Sequence, residues 1–292
     1  MASRLCCACK AEKSAAAWRR RLTAAMLSGA VLLGGSLLAG CEEKDEFANY
    51  PDTPVDVLYN RGMDDLIGGD ADTAVKFFDE VERQHPYSPW ATRAQLMSAY
   101  TLYLANKYDD AIESLDRFIQ LHPGNKELFE YAYYLKAICY YEQISDVERD
   151  QKMTSLALDS LRAVVQRFPE SKYARDAQLK IDLALDHLAG KHMAIGRYYQ
   201  SQKEFLAAIN RFRRVIETYQ TTTHVPEALH RLVECYLALG IVQEAQATAA
   251  VLGYNYPGSK WYEDSYKLLT SDHLRPAQDD DSWISKAWGS VT

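Results

Sequence analysis

The sequence predicts an all-α fold made of repeated helix pairs, and three observations predict it. Four loop signatures of one design punctuate the chain: His85-Pro86-Tyr87-Ser88, His122-Pro123-Gly124-Asn125, Phe168-Pro169-Glu170-Ser171 and Tyr256-Pro257-Gly258-Ser259. In each, an apolar or aromatic helix end meets a proline that cannot continue the helix. A Ser or Asn two residues later offers its side-chain oxygen to the free N–H groups of the next helix. Between these stops the apolar residues fall at helical spacing, and no alternating strand is legible. The composition agrees: 292 residues, 48% hydrophobic, mean hydropathy −0.33, only 14 Gly and 9 Pro. That is enough chain for a real core and too little Gly and Pro for a low-complexity one.

Counting back from each proline gives a 34-residue unit. It fits the tetratricopeptide pattern, with small residues at positions 8 and 20, a bulky one at 24 and often Pro at 32. The first unit, from Val55, places Gly62, Ala74, Phe78 and Pro86 there; the second, from Thr92, places Ala99, Ala111, Leu115 and Pro123. The third starts at Glu130 with Ala137. Its second helix, with Ala157, Leu161 and Pro169, comes eight residues late, so an insertion lies around residues 144–151. The fourth, from Ala189, has Gly196, Ala208 and Phe212, with Gln220 in place of Pro. Its first helix begins early, near Lys172, and runs to about Gln200. The fifth, from Pro226, has Val233, Ala245, Ala249 and Pro257.

The prediction is therefore a tetratricopeptide superhelix of five helix pairs, with units three and four elongated. Repeats one and two occupy 55–124, repeat three 125–169, and repeats four and five 170–270, followed by a tail over 271–292. One pair cannot bury its apolar face alone, so stacking supplies a continuous core. Cys139 and Cys235 both fall at repeat position 10, in different units. They should be buried thiols ~20 Å or more apart, too far to bridge. The tail, with Trp283, Ile284 and Trp288 beyond an acidic run, is expected either as disordered chain or as a short helix docking on a partner.

The first forty residues stand outside this fold. Six basic residues from Arg4 to Arg21 precede an apolar stretch, Leu22 to Leu38, that ends in Leu38-Ala39-Gly40-Cys41. A basic head, a short apolar run and small residues at the cut site describe an export signal. The ending resembles a bacterial lipobox, in which the Cys is acylated and becomes the new N-terminus. Residues 1–40 are then a removed lipoprotein signal peptide and 41–54 a lipidated tether. Glu42, where an Asp would retain the protein in the inner membrane, permits transfer to the outer membrane. Removal of the signal leaves 27 basic against 39 acidic residues, a net charge of −12. That balance argues against nucleic acid as a partner.

No H-E-x-x-H, phosphate-binding glycine loop, dinucleotide fingerprint or G-x-S-x-G elbow is present. The seven His are scattered. No catalytic residue, metal site or cofactor is expected, and the chain reads as a binding scaffold. In this fold the concave surface is lined by positions 2, 5, 9 and 12 of each first helix. Those positions include Tyr59, Tyr100, Tyr103, Tyr131, Tyr134 and Tyr141 in units one to three. In units four and five they hold Gly190, Met193, Arg197, Gln200, Glu227, His230, Glu234 and Leu237. Tyrosine offers a rigid face and a hydroxyl for a peptide backbone, so the aromatic half is the candidate groove. The chaperone-clamp type of repeat uses Lys and Asn at these positions, which Tyr59 and Met63 do not match.

The ordered segments Asp116-Arg117-Phe118-Ile119, Arg149-Asp150, Phe168-Pro169-Glu170-Ser171-Lys172-Tyr173, Leu188-Ala189-Gly190-Lys191-His192, Tyr198-Tyr199 and Ala208-Ile209-Asn210-Arg211, together with the lipobox, carry a resemblance. From about Tyr50 to Tyr262 the chain resembles the BamD family, lipoproteins of the outer-membrane β-barrel assembly machine. The resemblance implies a scaffold that docks on the periplasmic POTRA domains of BamA, joins other lipoproteins of that complex and helps recruit unfolded outer-membrane proteins. It also implies that Arg211, the Arg of the Asn-Arg pair, forms a salt bridge with a POTRA acidic residue. Arg213 and Arg214 add basic charge there. Another outer-membrane repeat lipoprotein, such as a pilotin or a peptidoglycan-enzyme adaptor, would share the lipobox and fold; the insertion and the Asn210-Arg211 pair favour the first reading.

Overall fold

The computed structural model describes residues 50–289; the export signal and Cys41 lie outside them. The first helices of the five pairs are α1 (Val55–Gly68), α3 (Pro89–Leu104), α5 (Lys126–Glu142), α7 (Lys172–Ser201) and α9 (Val225–Ala238). Their partners are α2 (Ala71–Gln84), α4 (Tyr108–Leu121), α6 (Lys152–Arg167), α8 (Phe205–Thr218) and α10 (Val242–Asn255). Two more follow, α11 (Lys260–Ser271) and α12 (Trp283–Gly289). No strand occurs among the described residues.

The proline punctuation works as its chemistry dictates. Each second helix ends on an aromatic or imidazole residue: His85, His122, Phe168, Tyr219 or Tyr256. Its φ lies between −123° and −132°, and its N–H donates to the carbonyl four residues back. Ser88 Oγ then accepts from the Trp90 N–H at 3.2 Å, Asn125 Oδ1 from Leu128 at 3.4 Å, Ser171 Oγ from Tyr173 at 3.3 Å and Ser259 Oγ from Tyr262 at 3.2 Å. Such caps are each worth about 1 kcal/mol. Unit four lacks the proline. There Asp186 of α7 holds the turn instead, accepting from Thr223 N–H at 2.9 Å and its hydroxyl at 2.7 Å.

Inside each pair the helices cross where position 8 meets position 24, and the side chains there are matched in size. Gly62 faces Phe78: a Cβ on Gly62 would stand 2.9 Å from Phe78 Cε1. Gly196 faces Phe212 more tightly, at 2.4 Å. The same two positions hold Ala99 and Leu115, Ala137 and Leu161, and Val233 and Ala249 in the other units. Every one of these side chains is fully enclosed. The small residues at position 20 (Ala74, Ala111, Ala157, Ala208, Ala245) are likewise at 0% exposure, letting the backbones approach.

The insertion after α5 is docked rather than loose. Lys191 Nζ donates to the Glu148 carbonyl at 2.6 Å and the Arg149 carbonyl at 3.2 Å. Gly190 beside it leaves room for Val147 and for His224 Nε2, which a Cβ would meet at 3.4 and 3.2 Å. The long helix α7 thus pairs with α6 along its first half and α8 along its second, with the insertion packed near the changeover.

The tail differs from both expectations, because its apolar residues find a surface on their own chain. Helix α11 packs on α9 and α10, and α12 lies on α10. Ile284 is fully buried. Trp283 Nε1 donates to Tyr236 Oη at 2.8 Å, and the Arg213 guanidinium sits 4.1 Å over the Trp283 ring. Ser282 Oγ donates to Glu244 at 2.6 Å. Cys139 and Cys235 are buried, free and in separate core clusters; burial pushes each thiol up to about 12. No described helix is long and apolar enough to cross a membrane.

Size matching at the crossings predicts a paired effect. Gly196→Ala overpacks against Phe212 and should cost about 1–3 kcal/mol. Adding Phe212→Leu recreates the Ala–Leu pair of units two and three and should restore part of that loss. Urea unfolding of the two variants checks it; a double variant no better than the single would refute the matching.

Candidate functional site

The first helices bring four of the six expected tyrosines into one row. Tyr100 and Tyr103 on α3 stack at 6.2 Å. Tyr131 and Tyr134 on α5 extend the row, and it ends on Tyr173 in the first turn of α7. The Tyr173 ring lies 5.5 Å from Tyr131 and stacks on Tyr134 at 4.7 Å. Tyr134 Oη donates to Asp176 Oδ2 at 2.6 Å, and Lys180 Nζ binds the same oxygen at 2.8 Å. The Lys180 and Tyr134 hydrogen bonds hold the Asp176 carboxyl below its usual range. Burial pushes the Tyr103, Tyr131 and Tyr134 hydroxyls up, and for Tyr134 the Asp176 carboxylate adds to it. These hydroxyls therefore remain protonated donors. Tyr131 and Tyr173 form one side of an open cleft of about 580 Å³ between the first turns of α5 and α7, rimmed by Lys126, Glu130, Glu170 and Lys172.

The other two tyrosines stand apart from this row. Tyr59 packs on Phe78 at 5.6 Å and Trp90 at 4.8 Å, and Tyr141 carries Lys180 over its ring at 5.7 Å. Gly190, Met193 and His230, expected to line the groove, are buried instead, as are Leu96 and Ile138 at the equivalent positions of units two and three. Tyr173 escaped the reading of the sequence because unit four was counted from Ala189. Counted from Lys172, which the Ser171 cap marks as the helix start, positions 2, 5 and 9 are Tyr173, Asp176 and Lys180, the residues found facing α5.

The polar half of the concave surface satisfies itself. Arg197 pairs with Glu227 at 3.1 Å, Gln200 Nε2 donates to Glu234 at 2.8 Å, and Arg231 reaches Glu234 at 2.9 Å. His230 bridges Ser265 at 2.8 Å and Glu234 at 3.4 Å. Burial alone would raise the Glu234 carboxyl. The hydrogen bonds from His230 and Gln200 and the charges of His230 and Arg231 outweigh it and hold the group at about 2.

A second surface lies on the seam of α7 and α8. His192 and Tyr199 from α7 and Ala207, Asn210, Arg211 and Arg214 from α8 line a cleft of about 500 Å³. Among the described residues neither Arg211 nor Arg214 has a hydrogen bond or a carboxylate partner. Arg213 does not join them. Two residues past Arg211 and one before Arg214, it stands about 200° and 100° from them around the helix, pairs with Glu217 at 3.2 Å and lies over the Trp283 ring.

The Glu234 network carries a pH signature. A carboxyl held at about 2, against 4.5 ordinarily, stabilises the fold fully above about pH 4.5, and that stability is lost as pH falls towards 2. Glu234→Gln should therefore lower stability by roughly 2 kcal/mol at neutral pH and flatten the loss between pH 5 and 3. Urea midpoints across that range measure it, and parallel slopes would count against the assignment.

Residues 51–252 match the family described as YfiO, outer membrane lipoprotein. A Caulobacter vibrioides protein named outer membrane protein assembly factor BamD is 54% identical over 255 residues, covering 87% of this chain and 83% of its own length. Its namesake in Rickettsia prowazekii is 49% identical, covering 83% of this chain and 96% of its own. The one in Neisseria meningitidis is 33% identical, covering 74% and 84%. With most of its length matched in both respects, the chain belongs to the YfiO family of outer membrane lipoproteins, to which the BamD resemblance pointed.

Proposed function

We propose that the protein is a scaffold of outer-membrane β-barrel assembly. It is held at the periplasmic face of the outer membrane by lipid on Cys41, docks on POTRA domains of BamA and works beside the other lipoproteins of that complex. The family description and the relatives' names support the assembly role. The observation that carries the docking reading is the α7–α8 cleft. This chain has 40 acidic residues against 33 Lys and Arg, yet leaves Arg211 and Arg214 together in a cleft with no carboxylate of their own. Two adjacent guanidiniums suit a carboxylate supplied by another protein, since each presents a planar fork of donors. The tyrosine row from Tyr100 to Tyr173 suits the second task, capture of unfolded outer-membrane proteins. Their segments alternate aromatic side chains with unpaired backbone groups, and the rings and protonated hydroxyls match both.

Each surface has its own test. Arg211→Glu places a like charge before the partner's carboxylate and should cost about 2–5 kcal/mol of association. Co-purification of BamA from detergent-solubilised envelopes should drop while helicity is unchanged; wild-type recovery would sink the docking reading.

For the row, a photo-crosslinking peptide from the last strand of a barrel protein should label the wild type. It should label the Tyr100→Ala, Tyr131→Ala double variant several-fold less, as each aromatic contact is worth about 0.5–1.5 kcal/mol. Tyr134 is left intact because Asp176 depends on it. Undiminished crosslinking, or crosslinks confined to α9 and α10, would rule the row out as receptor.

A further inference from the structure

The α7–α8 cleft holds one group that the docking reading does not use. His192 lines it beside Arg211 and Arg214. Its Nδ1 is shut off from solvent and has no hydrogen-bond partner, an arrangement that native structures seldom leave without a reason. The charged groups acting on the ring are Arg211 and Arg214, both from α8. The Tyr219 ring at the end of α8 lies 5.8 Å away, and Tyr199 lines the same cleft. Neighbouring charges are committed elsewhere: Lys191 to the insertion carbonyls, and His224 to Asp186 at 3.5 Å. No acidic residue lines the cleft.

We propose that His192 is the third group of this carboxylate-binding cleft, and that seating a partner's carboxylate against Arg211 and Arg214 is coupled to protonation of His192. This rests on the docking reading above. In the free protein burial, and then the two guanidinium charges, hold the imidazole below its ordinary range, so it is neutral at neutral pH. An incoming carboxylate offsets the guanidinium charges and stabilises the imidazolium. The complex therefore takes up a proton on His192. Linkage fixes the sign: a ligand that raises a group's pKa binds more tightly as pH falls through the bound-state pKa, and the gain levels off below the free-state pKa. One proton allows at most about tenfold in affinity per pH unit. A neutral or basic side chain offered to the cleft would gain nothing from this coupling, so His192 also sharpens the choice of an acidic partner.

The test uses the mature lipidated protein in detergent, with the soluble POTRA domains of BamA as the probe. Dissociation constants are measured from pH 8 to pH 5.5 for the wild type, His192→Gln and Arg211→Glu. Titration of the probe's own carboxylates is common to all three and cancels in the comparison. The wild type should tighten by about 3- to 10-fold relative to His192→Gln across that range. An NMR titration of the His192 ring in the unmutated protein gives a second reading that needs no substitution. Its midpoint should lie below the ordinary histidine value in the free protein and rise on binding. Parallel pH profiles with an unmoved midpoint, while Arg211→Glu still disrupts binding, would overturn the coupling and leave the docking reading standing. If Arg211→Glu binds like the wild type, the cleft is not the docking site and both ideas fall together.

Discussion

Everything in this molecule depends on one steric constraint: the combined bulk of repeat positions 8 and 24. Two helices joined by a connection, two or three residues long in every unit but the third, cross at a distance set by whatever lies between them. Where one side is a phenylalanine ring the other must be glycine, as at Gly62 and Gly196. Where one side is leucine, alanine fits, and where it is alanine a valine fits. Because bulk removed from one helix is returned by the other, each pair can close, and successive pairs pack on one another. Close packing of this kind tolerates little change in volume. It also fixes how neighbouring first helices present their side chains, and so the alignment of the tyrosine row.

Much of this was legible because the constraint is local. Proline stops, Ser and Asn caps and the small–bulky pairing all lie within one 34-residue unit, and a single sequence displays them. The long α7 was legible too, since Ser171 caps it and no breaker follows before Ser201. Contacts across unit boundaries were not. Met193 and His230 read as groove positions but are enclosed by neighbouring helices, which no period within one unit encodes. The tail shows the same limit. Its tryptophans advertised a binding surface, while nothing in their spacing said that Tyr236 and Arg213 would supply it. Arg213 read as a companion of Arg211 for the same reason: two residues on in sequence is about 200° round a helix, on its other side.

The two candidate surfaces differ in their physics. The tyrosine row offers broad, half-buried rings whose hydroxyls stay protonated, a surface tolerant of many side-chain sequences. The α7–α8 cleft is narrow and charged, and rewards one chemistry. The polar concave face between α7 and α9 is closed by its own ion pairs, from Arg197 to Glu234, and so offers little to a ligand. The docking and capture proposed for the two surfaces would thus be divided between a selective contact and a permissive one.

Helix α7 joins those surfaces physically. Tyr173 stands in its first turn and His192 nineteen residues on, about 28 Å along a continuous rod. No proline interrupts it, and Lys191, beside His192, clamps the insertion to it. Backbone hydrogen bonds running the length of such a rod fix the distance between its two ends, so neither surface shifts along the helix relative to the other. The tyrosine row and the basic cleft are therefore two faces offered by one element at a set separation.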